Sequence, residues 1–107
     1  MVSVEQSPPA IQVIFNADDL GGSTAINSAV LQAHRQGVLT SASLMVTGDA
    51  WEEAVALARA TPTLAVGPHL VLVNGRSVLP RREISHLVDG RGYFPDDLLV
   101  AGLYYAF

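Results

Sequence analysis

Hydrophobic and polar positions along this chain fall into blocks whose spacing changes from one to the next. Residues 11–15, Ile-Gln-Val-Ile-Phe, suit a buried strand and run straight into Asn16, the adjacent carboxylates Asp18 and Asp19, and the pair Gly21 and Gly22. Beyond the glycines, Ile26, Ala29, Val30 and Ala33 recur at helical spacing. Ser23 is placed to cap that helix, His34 and Arg35 fill its last turn, and Gly37 stands where a left-handed C-cap belongs. Residues 38–46 form a second β-type run. Gly48 and Asp49 then lead into another amphipathic helix, with Asp49 and Glu52 spaced as a capping box and Trp51, Ala54, Val55 and Ala58 on its apolar face. Thr61-Pro62 stops it. Residues 64–66 read as a short third strand that delivers Gly67-Pro68-His69, followed by the apolar residues 70–73 and a turn at Asn74-Gly75. From residue 78 to 89 the pattern weakens into proline and charge, Gly90-Arg91-Gly92 reads as a turn, and Pro95-Asp96-Asp97 opens a third helix.

The alternation is βαβαβ, which predicts an α/β fold with a parallel sheet of βα units joined by right-handed crossovers. Such sheets bind ligands beyond the carboxyl ends of their strands. Asp18 and Asp19 are expected just past the end of the first strand, and His69 at or just past the end of the third. All three then face the same rim. Residues 1–10, with Ser7-Pro8-Pro9, read as an N-terminal tail, and residues 11–107 as part of one domain.

Composition narrows the function classes. Half of the 107 residues are hydrophobic and 15% are charged, which is globular. The net charge is −4 with six arginines and no lysine, so there is no basic stripe for a nucleic-acid backbone. The absence of cysteine excludes a disulfide scaffold, thiolate ligands and a thiol nucleophile. Residues 1–10 carry no cationic leader and no apolar core of a signal peptide, and no apolar run approaches the ~20 residues of a transmembrane helix. The expectation is a soluble, cytoplasmic protein.

Two adjacent anions at the mouth of a strand repel each other, and a turn needs only one. A divalent cation or a proton-shuttling role accounts for the pair. Asp and His together suit zinc, iron, manganese or cobalt, and a catalytic site keeps three protein ligands and an exchangeable water. Asp19 and His69 are the two candidate ligands. Asp18 is then the candidate base for a water that the cation acidifies, which describes a hydrolase. Simpler roles compete: either acid alone serves as a helix cap, and a lone His69 as a half-buried histidine bonded to backbone. His34 and His86 read as surface residues, Trp51 as core, Asn16 as a tether for a neighbouring loop, and Arg76, Arg81 and Arg82 as a solvated face.

Three segments now combine. Asn16-Ala17-Asp18-Asp19-Leu20-Gly21, Leu39-Thr40-Ser41-Ala42-Ser43-Leu44-Met45-Val46 and Gly67-Pro68-His69-Leu70-Val71-Leu72-Val73 resemble, in order and spacing, the YdjC-like carbohydrate deacetylases. Residues 76–80, Leu87-Val88-Asp89 and Ala101-Gly102 are most similar to the hopanoid-biosynthesis-associated HpnK branch. The resemblance implies a distorted TIM-like (β/α) barrel that hydrolyses the N-acetyl group of an amino sugar, free or linked to a glycolipid. It implies one divalent metal ion, with zinc, magnesium, manganese and cobalt not distinguished. By motif position Asp18 matches the catalytic acid-base residue and Asp19 and His69 match metal ligands, while family members draw a further His from a later segment. Leu20 stands where the family often has Phe, and Gly22 and Pro68 replace bulkier apolar residues.

A receiver-type signalling domain is the alternative, since it also carries paired acids after its first strand and binds a divalent ion. It requires an Asp to end the third strand and a later Lys. Here the third strand ends in His69 and the chain has no Lys. A dinucleotide module needs a Gly-rich phosphate turn, which the two acids would oppose. The apolar ending at residues 103–107, together with about three βα units against the ~250 residues of a closed barrel, leads to the expectation of an N-terminal fragment. A fragment is expected to be inactive alone and to rely on association, a homo-oligomer included, to cover its open edge.

Overall fold

The computed structural model describes residues 10–106. The tail expected at residues 1–10 lies outside them except for Ala10. Elements follow the order β1 (Asn16–Leu20), α1 (Thr24–Gln36), β2 (Ser41–Leu44), α2 (Trp51–Ala60), β3 (Ala65–Pro68), β4 (Gly75–Arg76), β5 (Tyr93–Phe94) and α3 (Leu98–Ala106). The first three strands form a parallel sheet in the order β1-β2-β3, and β4 and β5 form a separate antiparallel pair. The expected α/β architecture with a parallel sheet of βα units is present.

Both crossover helices cover one side of that sheet. Leu20, Val30, Ala42, Ala54 and Leu64 make the core, flanked by Ala17, Ile26, Leu39 and Leu44. Burying a Leu or Val of this kind is worth roughly 1.5–3 kcal/mol. The opposite side carries Asn16 and Asp18 from β1, Ser41 and Ser43 from β2, and Ala65 and Gly67 from β3, which share rows by the parallel register. One side is apolar and covered, the other polar.

The first strand starts later than its composition predicts. Ile11, Val13, Ile14 and Phe15 are exposed, and the first ladder residue is Asn16, opposite Ser41. Only Phe15 engages, donating its N–H to Thr40 Oγ1 and accepting from the N–H groups of Thr40 and Ser41. A strand begins where a partner begins, and among the described residues nothing lies opposite residues 11–14 to pair with them. The acids therefore sit within β1 and not beyond it.

Other local expectations also give way to packing. Gly37 has φ −129°, not a left-handed angle; it is glycine where a Cβ would come within 2.8 Å of the Ala33 carbonyl. The Asp49–Glu52 capping box does not form, because α2 begins from Ala50, whose N–H is bonded to the Gly21 carbonyl. Trp51 is 43% exposed, so it is not core, and the innermost positions of α1 are Asn27 and Val30 while Ala29 and Ala33 face outward. His34 is half-buried, with Nδ1 2.8 Å from the Leu39 carbonyl and Nε2 2.8 Å from Thr63 Oγ1, so it ties the end of α1 to two loops. The third helix opens where its sequence predicts, after Pro95-Asp96-Asp97, and the structure shows Asp97 Oδ1 accepting from the N–H groups of Leu99 and Val100.

Candidate active site

The rim is shaped by a bulge in β1. Ala17 pairs with Ala42 and Leu20 with Leu44, so two residues of β1, Asp18 and Asp19, lie opposite the single residue Ser43 of β2. Asp19 absorbs the extra length with φ 62°, a left-handed conformation that Asp tolerates better than most residues. The bulge keeps both Ala17 and Leu20 on the core side and sends the two adjacent carboxylates in different directions.

Asp19 turns toward the end of β3. Its Oδ1 lies 3.4 Å from His69 Nδ1, and its N–H donates to the same nitrogen at 3.3 Å. His69 is anchored there because its own N–H donates to the Leu44 carbonyl at 2.8 Å, one step beyond the β2–β3 ladder. With Nδ1 accepting from the backbone, its one lone pair is directed at the Asp19 N–H while a carboxylate oxygen of the same residue stands 3.4 Å away with no proton between them. A cation shared between Nδ1 and Oδ1 would take the place of that hydrogen bond and offset the carboxylate charge.

Asp18 turns to the polar side of the sheet. Its Oδ1 accepts from Ser43 Oγ at 2.7 Å and from Asn16 Nδ2 at 2.9 Å. The same amide group donates to Ser43 Oγ at 2.9 Å, and Asn16 Oδ1 accepts from Ser41 Oγ at 2.8 Å. Asn16 thus holds the neighbouring strand and Asp18, not a loop. Of the three residues singled out from sequence, Asp19 and His69 meet, while Asp18 is adjacent in the chain and bonded elsewhere. His86 is exposed and distant in sequence from all of them.

Behind the rim, Asn27 is fully buried on α1. Its Oδ1 accepts from the Gly21 N–H at 2.8 Å, and its Nδ2 donates to the Ala50 carbonyl at 3.1 Å and to Glu53 Oε2 at 2.8 Å. It fastens the turn after β1 to the start of α2. Sequence reading missed Asn27, because a polar residue on the apolar stripe of α1 carries no sign of its partners. It also missed Ser43, although the alternation of Ser41 and Ser43 opposite Asn16 and Asp18 was a usable signal.

A divalent ion is a good match for the Asp19–His69 pair. Ligand atoms of a tetrahedral ion held at ~2.0–2.1 Å lie roughly 3.3–3.4 Å from one another. The oxygen and nitrogen here are 3.4 Å apart. Among the described residues no group of three or more His, Cys, Asp or Glu is clustered to hold a metal, so the pair supplies two donors. Asp19 and His69 open into a cleft of about 540 Å³ with Met45, Asn74, Asp96 and Leu98 on its walls. A larger cleft of about 720 Å³, between the β4–β5 pair and α3, shares Asn74 and Asp96 with it but contains none of the three candidates. Chemistry, not size, selects the smaller one.

Comparison with known proteins gives a consistent picture. A carbohydrate deacetylase of Brevibacillus brevis is 48% identical over 84 residues, covering 78% of this chain and 33% of that protein. A carbohydrate deacetylase 2 of Listeria innocua is 52% identical over 66 residues, covering 62% of this chain and 27% of that protein. The chain thus spans about a third of the length of the curated relatives it matches. A crystal structure of a candidate cellobiose-phosphate cleavage protein from Enterococcus faecalis superposes with a TM-score of 0.79 at 37% identity, over 85% of this chain and 36% of that one. No helix among the described residues is long and apolar enough to cross a membrane. The family model described as YdjC-like protein matches residues 12–107, bulge, Asp19–His69 contact and polar sheet side included, and the chain belongs to that family.

Proposed function

We propose that these residues form the base-bearing and metal-holding sector of a carbohydrate deacetylase that hydrolyses the N-acetyl group of an amino sugar. The observation that carries the reading is the Asp19–His69 contact at 3.4 Å, beside a second carboxylate turned to different partners. Relatives named carbohydrate deacetylases support the reaction class. Asp19 and His69 would hold one divalent metal ion, zinc, magnesium, manganese or cobalt. Such an ion, when bound, polarises the acetamide carbonyl and eases deprotonation of the attacking water. Asp18 accepts that proton, the C–N bond breaks as a separate general acid protonates the departing amine, and the two clefts joined at Asn74 and Asp96 leave room for the sugar.

The polar, uncovered side of a parallel sheet with helices on its other side is what one sector of a TIM-like (β/α) barrel has, and this supports the larger architecture. Residues 76–80 and 87–89 favour the HpnK branch, and with it a glycolipid-linked amino sugar from hopanoid biosynthesis. With two protein ligands where a catalytic site keeps three, the 107 residues alone should turn over far more slowly than a full-length relative.

The test is metal content and acetate release from N-acetylated amino sugars, with zinc, magnesium, manganese or cobalt supplied. Asp18→Asn should retain metal and lose turnover, and Asp19→Ala should lose both. Equal metal loss in the two variants, measured by elemental analysis, contradicts the division of roles.

A further inference from the structure

We propose that Asn16, Ser41 and Ser43 are positioning residues for Asp18, and that they leave Oδ2 as the atom that takes the proton. The proposal rests on Asp18 being the base. Both hydrogen bonds to its carboxylate converge on Oδ1, from Ser43 at 2.7 Å and Asn16 at 2.9 Å, and none among the described residues reaches Oδ2. The carboxyl plane is thus fixed while one oxygen stays open.

The bonds run in one direction. Ser41 Oγ donates to Asn16 Oδ1, the Asn16 amide donates to both Ser43 Oγ and Asp18 Oδ1, and the Ser43 hydroxyl donates to Asp18 Oδ1. Each donor in the chain polarises the next toward the carboxylate. The arrangement also fixes the amide's orientation, because a flipped Asn16 would set its carbonyl oxygen against the Asp18 carboxylate. Its geometry depends on the bulge. Two acids stand opposite the one residue Ser43, and the hydroxyl reaches only Asp18, so the base is positioned by β2 while Asp19 is left to face His69.

A purely structural role predicts a different outcome from a positioning role. These bonds lie on the exposed side of the sheet, outside the core, where an intramolecular hydrogen bond contributes only about 0.5–1.5 kcal/mol net. Losing one should leave the protein folded. A base with a freed carboxyl loses alignment with its water, and misplacement on that scale costs roughly 10- to 100-fold in rate.

The experiment compares Ser43→Ala, Asn16→Ala and Ser43→Thr with Asp18→Asn in the metal-loaded protein. Expected are a roughly 10- to 100-fold drop in kcat for the two alanine variants with KM and metal content within about twofold, and recovery to within about threefold in Ser43→Thr, which keeps the hydroxyl. In parallel, NMR of the protein without substrate should show the Asn16 side-chain amide protons and the Asp18 carboxyl carbon shifting together in Ser43→Ala. Loss of turnover in Asp18→Asn with wild-type kcat in both alanine variants overturns the positioning role and leaves the deacetylase reading standing. Wild-type turnover in Asp18→Asn overturns the reading of Asp18 as base, and the positioning role falls with it. Should no N-acetylated amino sugar release acetate, the NMR comparison decides by itself: unmoved Asn16 and Asp18 signals in Ser43→Ala overturn the network.

Discussion

Replacing Asn27 isolates what holds the rim in place. Asn27→Ala removes three hydrogen bonds at a site with no solvent exposure, but their loss is unequal. The Ala50 carbonyl keeps its bond from the Ala54 N–H, and Glu53 is exposed and regains water. The buried Gly21 N–H has no such substitute. Leaving that donor unpaired costs about 1–3 kcal/mol, and the small void left by the missing carboxamide adds about 1 kcal/mol. A loss of roughly 2–4 kcal/mol follows, a large part of the stability of a domain this size. Asn27→Asp separates the parts of that sum: it keeps the acceptor for Gly21, yet sets a carboxylate against the Ala50 carbonyl and the Glu53 carboxylate. It should be at least as destabilising at neutral pH and recover on acidification as the introduced carboxylate, buried beside two acceptors, protonates. Urea unfolding followed by Trp51 fluorescence reads both variants, and amide exchange at Gly21 reports whether the turn opens locally. Both variants within about 0.5 kcal/mol of wild type would falsify the claim that this side chain fastens the turn to α2.

Two glycines should respond oppositely to the same change. A Cβ on Gly48 would overlap the Gly21 carbonyl group and come within 2.9 Å of Gly22 Cα, so Gly48→Ala should cost about 1–3 kcal/mol, whereas Gly67→Ala meets nothing within 4 Å and should stay within about 0.5 kcal/mol. Thermal unfolding of the two variants side by side checks the contrast, and equal midpoints would contradict it. Asp89 is held below the usual carboxylate range, chiefly by the Tyr93 N–H, against a smaller desolvation effect and with help from Arg91. Because its folded value is depressed, its contribution is complete above the unfolded carboxylate range and fades as pH falls through the folded value. Exchange protection of the Tyr93 amide should therefore fall on acidification in the wild type and be low at every pH in Asp89→Ala; a flat wild-type profile would refute this.

Much of the fold was legible because it is written in periodicity. The spacing of Ile26 and Val30, the cap at Ser23 and the stop at Thr61-Pro62 place α1 and α2 with little else needed. What was not legible depends on partners. Residues 11–15 have strand composition, but composition does not say that pairing starts at Asn16. The position of Gly37 after α1 suggests a left-handed backbone angle, but the close Ala33 carbonyl is what excludes a side chain. At the site, the meeting of Asp19 and His69 follows from parallel topology, which brings strand ends together. The separate direction of Asp18 does not follow, since adjacent residues were read as one cluster and the bulge that divides them is a relation between two strands.

That bulge also bears on which residues the chain could do without. From Ala17 to Leu20 β1 spends three steps where β2 spends two, yet the pairings on either side are those of an ordinary parallel ladder. Deleting one of the two acids would restore a plain strand with Ala17 and Leu20 still opposite Ala42 and Leu44, and the core would be unaltered. One acidic residue is therefore surplus to folding. A sequence of this family shortened by that single position would keep its architecture and forfeit its pair of independently directed carboxylates, so length at this point, more than identity, marks a copy that retains the site.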